Sequence, residues 1–199
     1  MRLIEISEIL DSPSILTIPG AVDTSLLSQE PEIIDYKKAY ERVKEAIGDL
    51  ILIAEKKKKV LVLENVPNKI FLSPLEFRDL IDSFKSEYIG CQFDIGNSLA
   101  LQGYPEQWIR ILGKRIKAVH LKDYRIGIGN YFESVANIFE GDVNWKEVCK
   151  ALAEIDYKGP LICEVLPPYK YYPEHLYQTA LFAISLLEKE IENYKKLKV

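Results

Sequence analysis

The sequence predicts an α/β fold in which a parallel sheet of about five strands is covered by helices. Two observations carry that prediction. Short apolar runs alternate with longer stretches of helical periodicity, and strands that alternate with helices build parallel sheets. Four of the runs also end in a side chain able to bind a metal or move a proton. They are Val60-Leu61-Val62-Leu63-Glu64, Ile89-Gly90-Cys91-Gln92-Phe93-Asp94, Ile116-Lys117-Ala118-Val119-His120 and Pro160-Leu161-Ile162-Cys163-Glu164. The C-terminal ends of parallel strands are the edge where α/β proteins assemble their chemistry.

The elements follow in order. Met1 to Leu10 reads as the tail of a helix. Ser14-Ile15-Leu16-Thr17-Ile18, closed by Pro19-Gly20, is the first strand. A helix is expected from about Ile34 to Lys58, because Ala39, Val43, Ala46, Ile47, Leu50, Ile51 and Ala54 recur on one face. Its basic end, Lys56 to Lys59, suits a solvated last turn favoured by the helix dipole better than a binding patch. After the strand ending at Glu64, Ser73-Pro74-Leu75-Glu76 opens a helix with Ser as cap and Pro in first position. Strand 89–94 leads into a Gly96-Asn97 loop, and Pro105 starts a helix that runs to Leu112. Strand 116–120 precedes a long loop, about Lys122 to Gly141. Asn144 caps a helix that extends to Ile155. Tyr157-Lys158-Gly159-Pro160 turns into the last strand, and an amphipathic helix covers about Pro173 to Leu197.

Composition narrows the function classes. With 48% apolar and 28% charged residues the chain is an ordinary globular protein, large enough for a substantial core, and residues 1–199 are expected to form a single domain. A net charge of −4 speaks against a nucleic-acid surface. No apolar stretch reaches membrane-spanning length, and acids interrupt the N-terminus too early for a signal peptide, so no membrane partner and a cytoplasmic location are expected. Cys91, Cys149 and Cys163 have no CxxC spacing and read as apolar filler.

Taken singly, a Glu or Asp at a strand end is as readily a helix cap, and a lone histidine is more often a satisfied buried side chain than a ligand. Taken together, three carboxylates at one buried edge would repel one another unless a counter-charge joined them. A divalent metal answers that need. The oxygen-rich set with one imidazole suits Mn²⁺, Co²⁺, Mg²⁺ or Zn²⁺.

The segments Leu63-Glu64-Asn65-Val66, Phe93-Asp94-Ile95-Gly96-Asn97, Val119-His120-Leu121-Lys122-Asp123, Gly141-Asp142-Val143-Asn144-Trp145 and Gly159-Pro160-Leu161-Ile162-Cys163-Glu164 resemble the sugar phosphate isomerase/epimerase superfamily of xylose-isomerase-like TIM barrels. The D-x-G-N and H-L-K-D forms are most similar to its L-xylulose/L-ribulose 5-phosphate 3-epimerase and hexulose-6-phosphate isomerase branch. The resemblance implies a metal held by Glu64, Asp94, His120 and Glu164. It also implies that Glu64 and Glu164 act as an acid/base pair on opposite faces of a ketose or ketose phosphate, with an enediolate between the two proton transfers. Asn97 stands where many members carry a sugar-contacting histidine; the branch with phosphorylated substrates also shows Asn there, so the resemblance at this position implies a sugar phosphate. Lys122 and Arg125 are candidates to meet a phosphate, although a Lys122–Asp123 pair accounts for the lysine equally well. Phe139-Glu140-Gly141 replaces a usual Gly-x-Gly.

A full barrel has eight βα units in roughly 250 residues. The resemblance therefore implies a partial (β/α) TIM barrel of about five parallel strands with outer helices, entered near the helix before the fourth unit. A misassigned start, a natural truncation and a fragment would each produce such a sequence. Three functional classes follow: the isomerase/epimerase, a catalytically inactive barrel that binds or scaffolds, and an apurinic-site endonuclease. The last needs a histidine-rich zinc cluster, and the chain has only His120 and His175. Two further expectations concern the surface. The apolar edge strand Ile15 to Ile18 favours a homo-oligomer. The long loop, with Gly127 and Gly129 as hinges, is expected to act as a lid.

Overall fold

A computed structural model describes residues 2–25, 28–127, 129–164 and 173–197. Five strands form one parallel sheet: β1 (Ser14–Thr17), β2 (Val60–Glu64), β3 (Ile89–Asp94), β4 (Ile116–Leu121) and β7 (Leu161–Cys163), in that spatial order. Helices connect them, so the fold is α/β, a partial (β/α) barrel. The chain divides into two compact units, residues 1–92 and 93–199.

In the first unit, α1 (Arg2–Ile9) precedes β1, and α2 (Tyr36–Lys57) links β1 to β2. Five of the seven residues of the predicted stripe, Ala39, Val43, Ile47, Ile51 and Ala54, are buried, whereas Ala46 is exposed and Leu50 half-buried at its margin. Asp35 caps α2 by accepting the Lys38 amide, and Lys58 ends it in the left-handed conformation at φ 52°. The basic last turn is a tie rather than a patch. Lys57 pairs with Glu8 at 3.0 Å, and Lys59 donates to the carbonyls of Ser7 and Ser12. Strand β2 is buried from Leu61 to Glu64, as expected for a strand covered on both faces. It runs parallel to β1 and to β3, in a register that places Glu64 beside Gln92. The Ser73 cap and Pro74 start of α3 (Pro74–Ser83) are as the sequence predicts. The Glu76 side chain, however, accepts from Tyr36 Oη at 2.6 Å. Phe71 and Phe77, 5.9 Å between ring centres, fill the core beneath α3.

In the second unit, the segment predicted as a Gly96-Asn97 loop is a short helix, α4 (Ile95–Ala100). Glycine and asparagine are poor helix formers. Here Asp94 caps the first turn and Ile95 to Leu99 are all buried, which outweighs local propensity. Helix α5 (Pro105–Leu112) ends in a 3-10 turn, Gly113–Arg115, that feeds β4. Trp108 of α5 stacks on Phe93 at 6.2 Å. The long loop also carries structure of its own: β5 (Asp123–Tyr124) pairs antiparallel with β6 (Val135–Ala136), and α6 (Tyr131–Ser134) lies between them. Helix α7 (Trp145–Glu154) is capped by Asn144 as predicted, and α8 (Pro173–Lys196) buries Ala183, Leu187 and Ile191. The three cysteines are free thiols; Cys91 and Cys149 are buried, and burial pushes the Cys149 thiol up to about 12. Among the described residues, no helix is long and apolar enough to cross a membrane.

Replacing fully buried Phe77 with alanine is expected to lower stability by about 3–5 kcal/mol, from lost burial and the cavity left behind. Urea unfolding followed by circular dichroism measures it.

Candidate metal centre

Asp94 is the last residue of β3 and the cap of α4, and both roles fix its carboxylate. Its Oδ1 accepts the Asn97 amide at 2.7 Å, and its Oδ2 lies 2.9 Å from Lys122 Nζ. The strand end thus serves as a helix cap and as a candidate ligand at once. His120 is in β4, and Lys122 follows two residues later, so the strand period of two directs both to the same face. Glu164 is the first residue after β7. Its amide donates to the Leu121 carbonyl at 3.0 Å, which extends the β4–β7 ladder and brings its side chain beside the other three.

The resulting contacts are close. His120 Nδ1 lies 3.0 Å from Glu164 Oε2 and 3.7 Å from Asp94 Oδ2. Lys122 Nζ lies 3.1 Å from Glu164 Oε1. The Asp94 side chain is 0% exposed, that of Lys122 2% and that of Glu164 32%. Burial opposes the Lys122 charge, yet Asp94, Tyr131 and Glu164 around it hold its pKa above the ordinary lysine range. Burial pushes the Glu164 carboxyl up; the His120 hydrogen bond and the Lys122 charge outweigh it and bring the pKa down to about 2. Glu164 is therefore a carboxylate at neutral pH.

Ligand atoms of Asp94, His120 and Glu164 lie within 4.8 Å of one another, so this buried acidic and imidazole group fits a divalent cation. Atoms that share one metal at 2.0–2.2 Å can be no more than about 4.4 Å apart, so only small side-chain adjustments separate the arrangement from a coordination sphere. Glu64 ends β2 at 6% exposure.

The remaining candidates are placed as follows. Asn97, 1% exposed, accepts from Tyr131 Oη at 2.5 Å and from Lys122 Nζ at 3.4 Å on the same Oδ1. Lys122 pairs with Asp94 and Glu164. Its neighbour Asp123 has a different task, taking the amides of Tyr124, Val143 and Phe139 and the indole of Trp145 at 2.8–3.2 Å. Arg125 turns to Glu140, donating to its carbonyl at 3.0 Å and lying 3.8 Å from its carboxylate.

Sequence reasoning did not single out Tyr131. Its hydroxyl reaches Asn97 and lies 3.3 Å from Lys122 Nζ, and burial pushes its pKa up to about 12. A signal existed: Asn130 and Glu133 form a reciprocal capping box, which marks a helix start inside the presumed loop. The departure at Phe139 has a local price, because its φ of 75° is the left-handed backbone that glycine adopts freely. Its ring gains an edge-on contact with Trp145 at 5.5 Å. Gly141 must stay small, since a side chain there would collide with Asp123 Oδ1.

A sequence profile of the xylose isomerase-like TIM barrel family matches residues 1–182, and the chain belongs to that family. An uncharacterized protein of Methanocaldococcus jannaschii is 27% identical over 161 residues, 78% of this chain and 51% of the relative. The chain thus spans about half the length of the curated relative it matches. Among solved structures, IOLI protein with a bound zinc atom superposes with a TM-score of 0.77 at 18% identity, covering 97% of this chain and 68% of that one. D-psicose 3-epimerase with D-tagatose, from Clostridium cellulolyticum H10, superposes with a TM-score of 0.73 at 18% identity, covering 96% and 68%. At these identities the structures establish the shared fold.

Asp123→Ala would leave four buried or half-buried donors without their acceptor. It is expected to cost about 3 kcal/mol and to speed amide exchange at Tyr124, Phe139 and Val143, read by denaturant titration and hydrogen-exchange mass spectrometry.

Proposed function

We propose that this chain is a sugar isomerase or 3-epimerase, or the greater part of one, that acts on a ketose or ketose phosphate with a divalent ion of the Mn²⁺, Co²⁺, Mg²⁺ or Zn²⁺ class. The observation that carries the reading is the convergence of Asp94, His120, Glu164 and Lys122 at the C-terminal ends of parallel strands. Family membership and the fold shared with a 3-epimerase support it.

Asp94, His120 and Glu164 would hold the ion, and Glu64 would join them as the fourth ligand. Support for Glu64 is its buried carboxylate at the C-terminal end of β2. When bound, such an ion would supply positive charge where negative charge develops on the substrate's oxygens. Glu164, a carboxylate at neutral pH, removes or returns a proton on the carbon next to the carbonyl. Glu64 does the converse on the opposite face, as inversion at that carbon requires. Asn97 and the Lys122 ammonium, both buried beside the ligands, orient the substrate's oxygens. A phosphate on the substrate would draw Arg125 from Glu140. We assign the protein to the cytoplasm, with a small-molecule partner rather than a nucleic acid. We also propose that it is a homo-oligomer, because Leu16 of β1 and the following Ile18 are 43% and 45% exposed at the end of the sheet. Sedimentation as a soluble monomer would refute that last point.

Solvent exchange tests the reaction. The protein incubated in D₂O with Mn²⁺ and a panel of ketoses and ketose phosphates should place deuterium on the carbon next to the carbonyl. Glu164→Gln should slow that exchange at least about 100-fold while Mn²⁺ still binds, because an amide keeps an oxygen ligand but takes no proton. Mn²⁺ binding without exchange into any ketose would instead favour an inactive barrel that binds its ligand.

A further inference from the structure

The lysine between the two carboxylates is built in rather than draped over them. Its stem passes so close to α4 that a side chain at Gly96 would come within 2.7 Å of Lys122 Cγ and 3.0 Å of its Cβ. Its head is held by Asn97 Oδ1 at 3.4 Å and by Tyr131 Oη at 3.3 Å, with the Tyr131 ring centre 5.9 Å away. Asp94 Oδ1 is committed to the Asn97 amide, and the ammonium stands on Oδ2 at 2.9 Å and on Glu164 Oε1 at 3.1 Å. An ion drawn to Asp94 and Glu164 therefore meets a fixed positive charge at the same oxygens.

We propose that Lys122 is a resident competitor of the divalent ion, a cation fixed on the carboxylates of Asp94 and Glu164 that sets how weakly, and so how exchangeably, the site binds metal. The inference rests on the cation site proposed above and adds a role for the lysine that its contact with substrate would not supply. Two cations that share carboxylate oxygens oppose each other over a few ångströms in a partly desolvated site, where charge interactions are stronger than in water. Removing the fixed one should strengthen binding of the mobile one. It should also leave Asp94 and Glu164 short of counter-charge until an ion arrives, so that folding becomes coupled to metal.

Lys122→Met keeps the unbranched stem, one heavy atom shorter, and removes the charge. Titration calorimetry of the full chain with Mn²⁺ should show the variant binding at least about tenfold tighter than the wild type. Thermal melts should show the variant less stable than the wild type without added ion and raised more by saturating Mn²⁺. Equal or weaker Mn²⁺ affinity in the variant, with binding intact in the wild type, overturns the competitor role and leaves the cation site standing. Binding by neither protein overturns both. Binding by the variant alone supports the competitor role in its strongest form. If the variant is unfolded without metal, recovery on adding Mn²⁺ supports the proposal. Persistent unfolding at saturating Mn²⁺ overturns it, because the ion then cannot stand in for the ammonium.

Discussion

Carboxylates gathered at the buried end of a parallel sheet must be neutralised, and much of the second unit is arranged around that constraint. Asp94 and Glu164 are brought together by strand register, and two unpaired acids so close would raise each other's pKa. Lys122 answers them with its ammonium from the adjacent strand end, and His120 Nδ1 lies 3.0 Å from Glu164 Oε2. The effect is visible in Glu164, held down at about 2 although burial pushes it up. Such a site suits a cation, since its oxygens are already directed at positive charge.

The excursion between β4 and α7 belongs to the same arrangement. Asp123 folds its two ends by accepting four hydrogen bonds, and α6 delivers Tyr131 to Asn97 and Lys122. A segment so anchored is a structured wall of the site. Motion that opens it has to break the Tyr131 contacts, and Lys122 would feel that break directly.

The strands, the long helices and the caps at Ser73 and Asn144 were legible in the sequence because each depends on local chemistry: apolar runs, a repeat of three and four, and a side-chain oxygen before a helix. The convergence at Asp94, His120 and Glu164 was legible because parallel strands place their C-terminal ends on one edge. What escaped the sequence depends on tertiary context. Helix α4 forms against the propensities of Gly96 and Asn97, because Asp94 caps it and the core buries it. The partner of Lys122 lay open between Asp123 and a phosphate, and it proved to be Asp94 and Glu164, reached by passing over Gly96. Tyr131 lay in a stretch read as loop. Only the fold reveals that its hydroxyl meets Asn97, 34 positions earlier in the chain.

The central claim is that the strand ends form one cation site. Anomalous diffraction from a crystal soaked in Mn²⁺ tests it most directly. The account predicts a single strong peak at about 2.0–2.4 Å from a ring nitrogen of His120 and from carboxylate oxygens of Asp94, Glu164 and Glu64. A peak elsewhere on the chain, or none at this edge when Mn²⁺ is saturating, would contradict it.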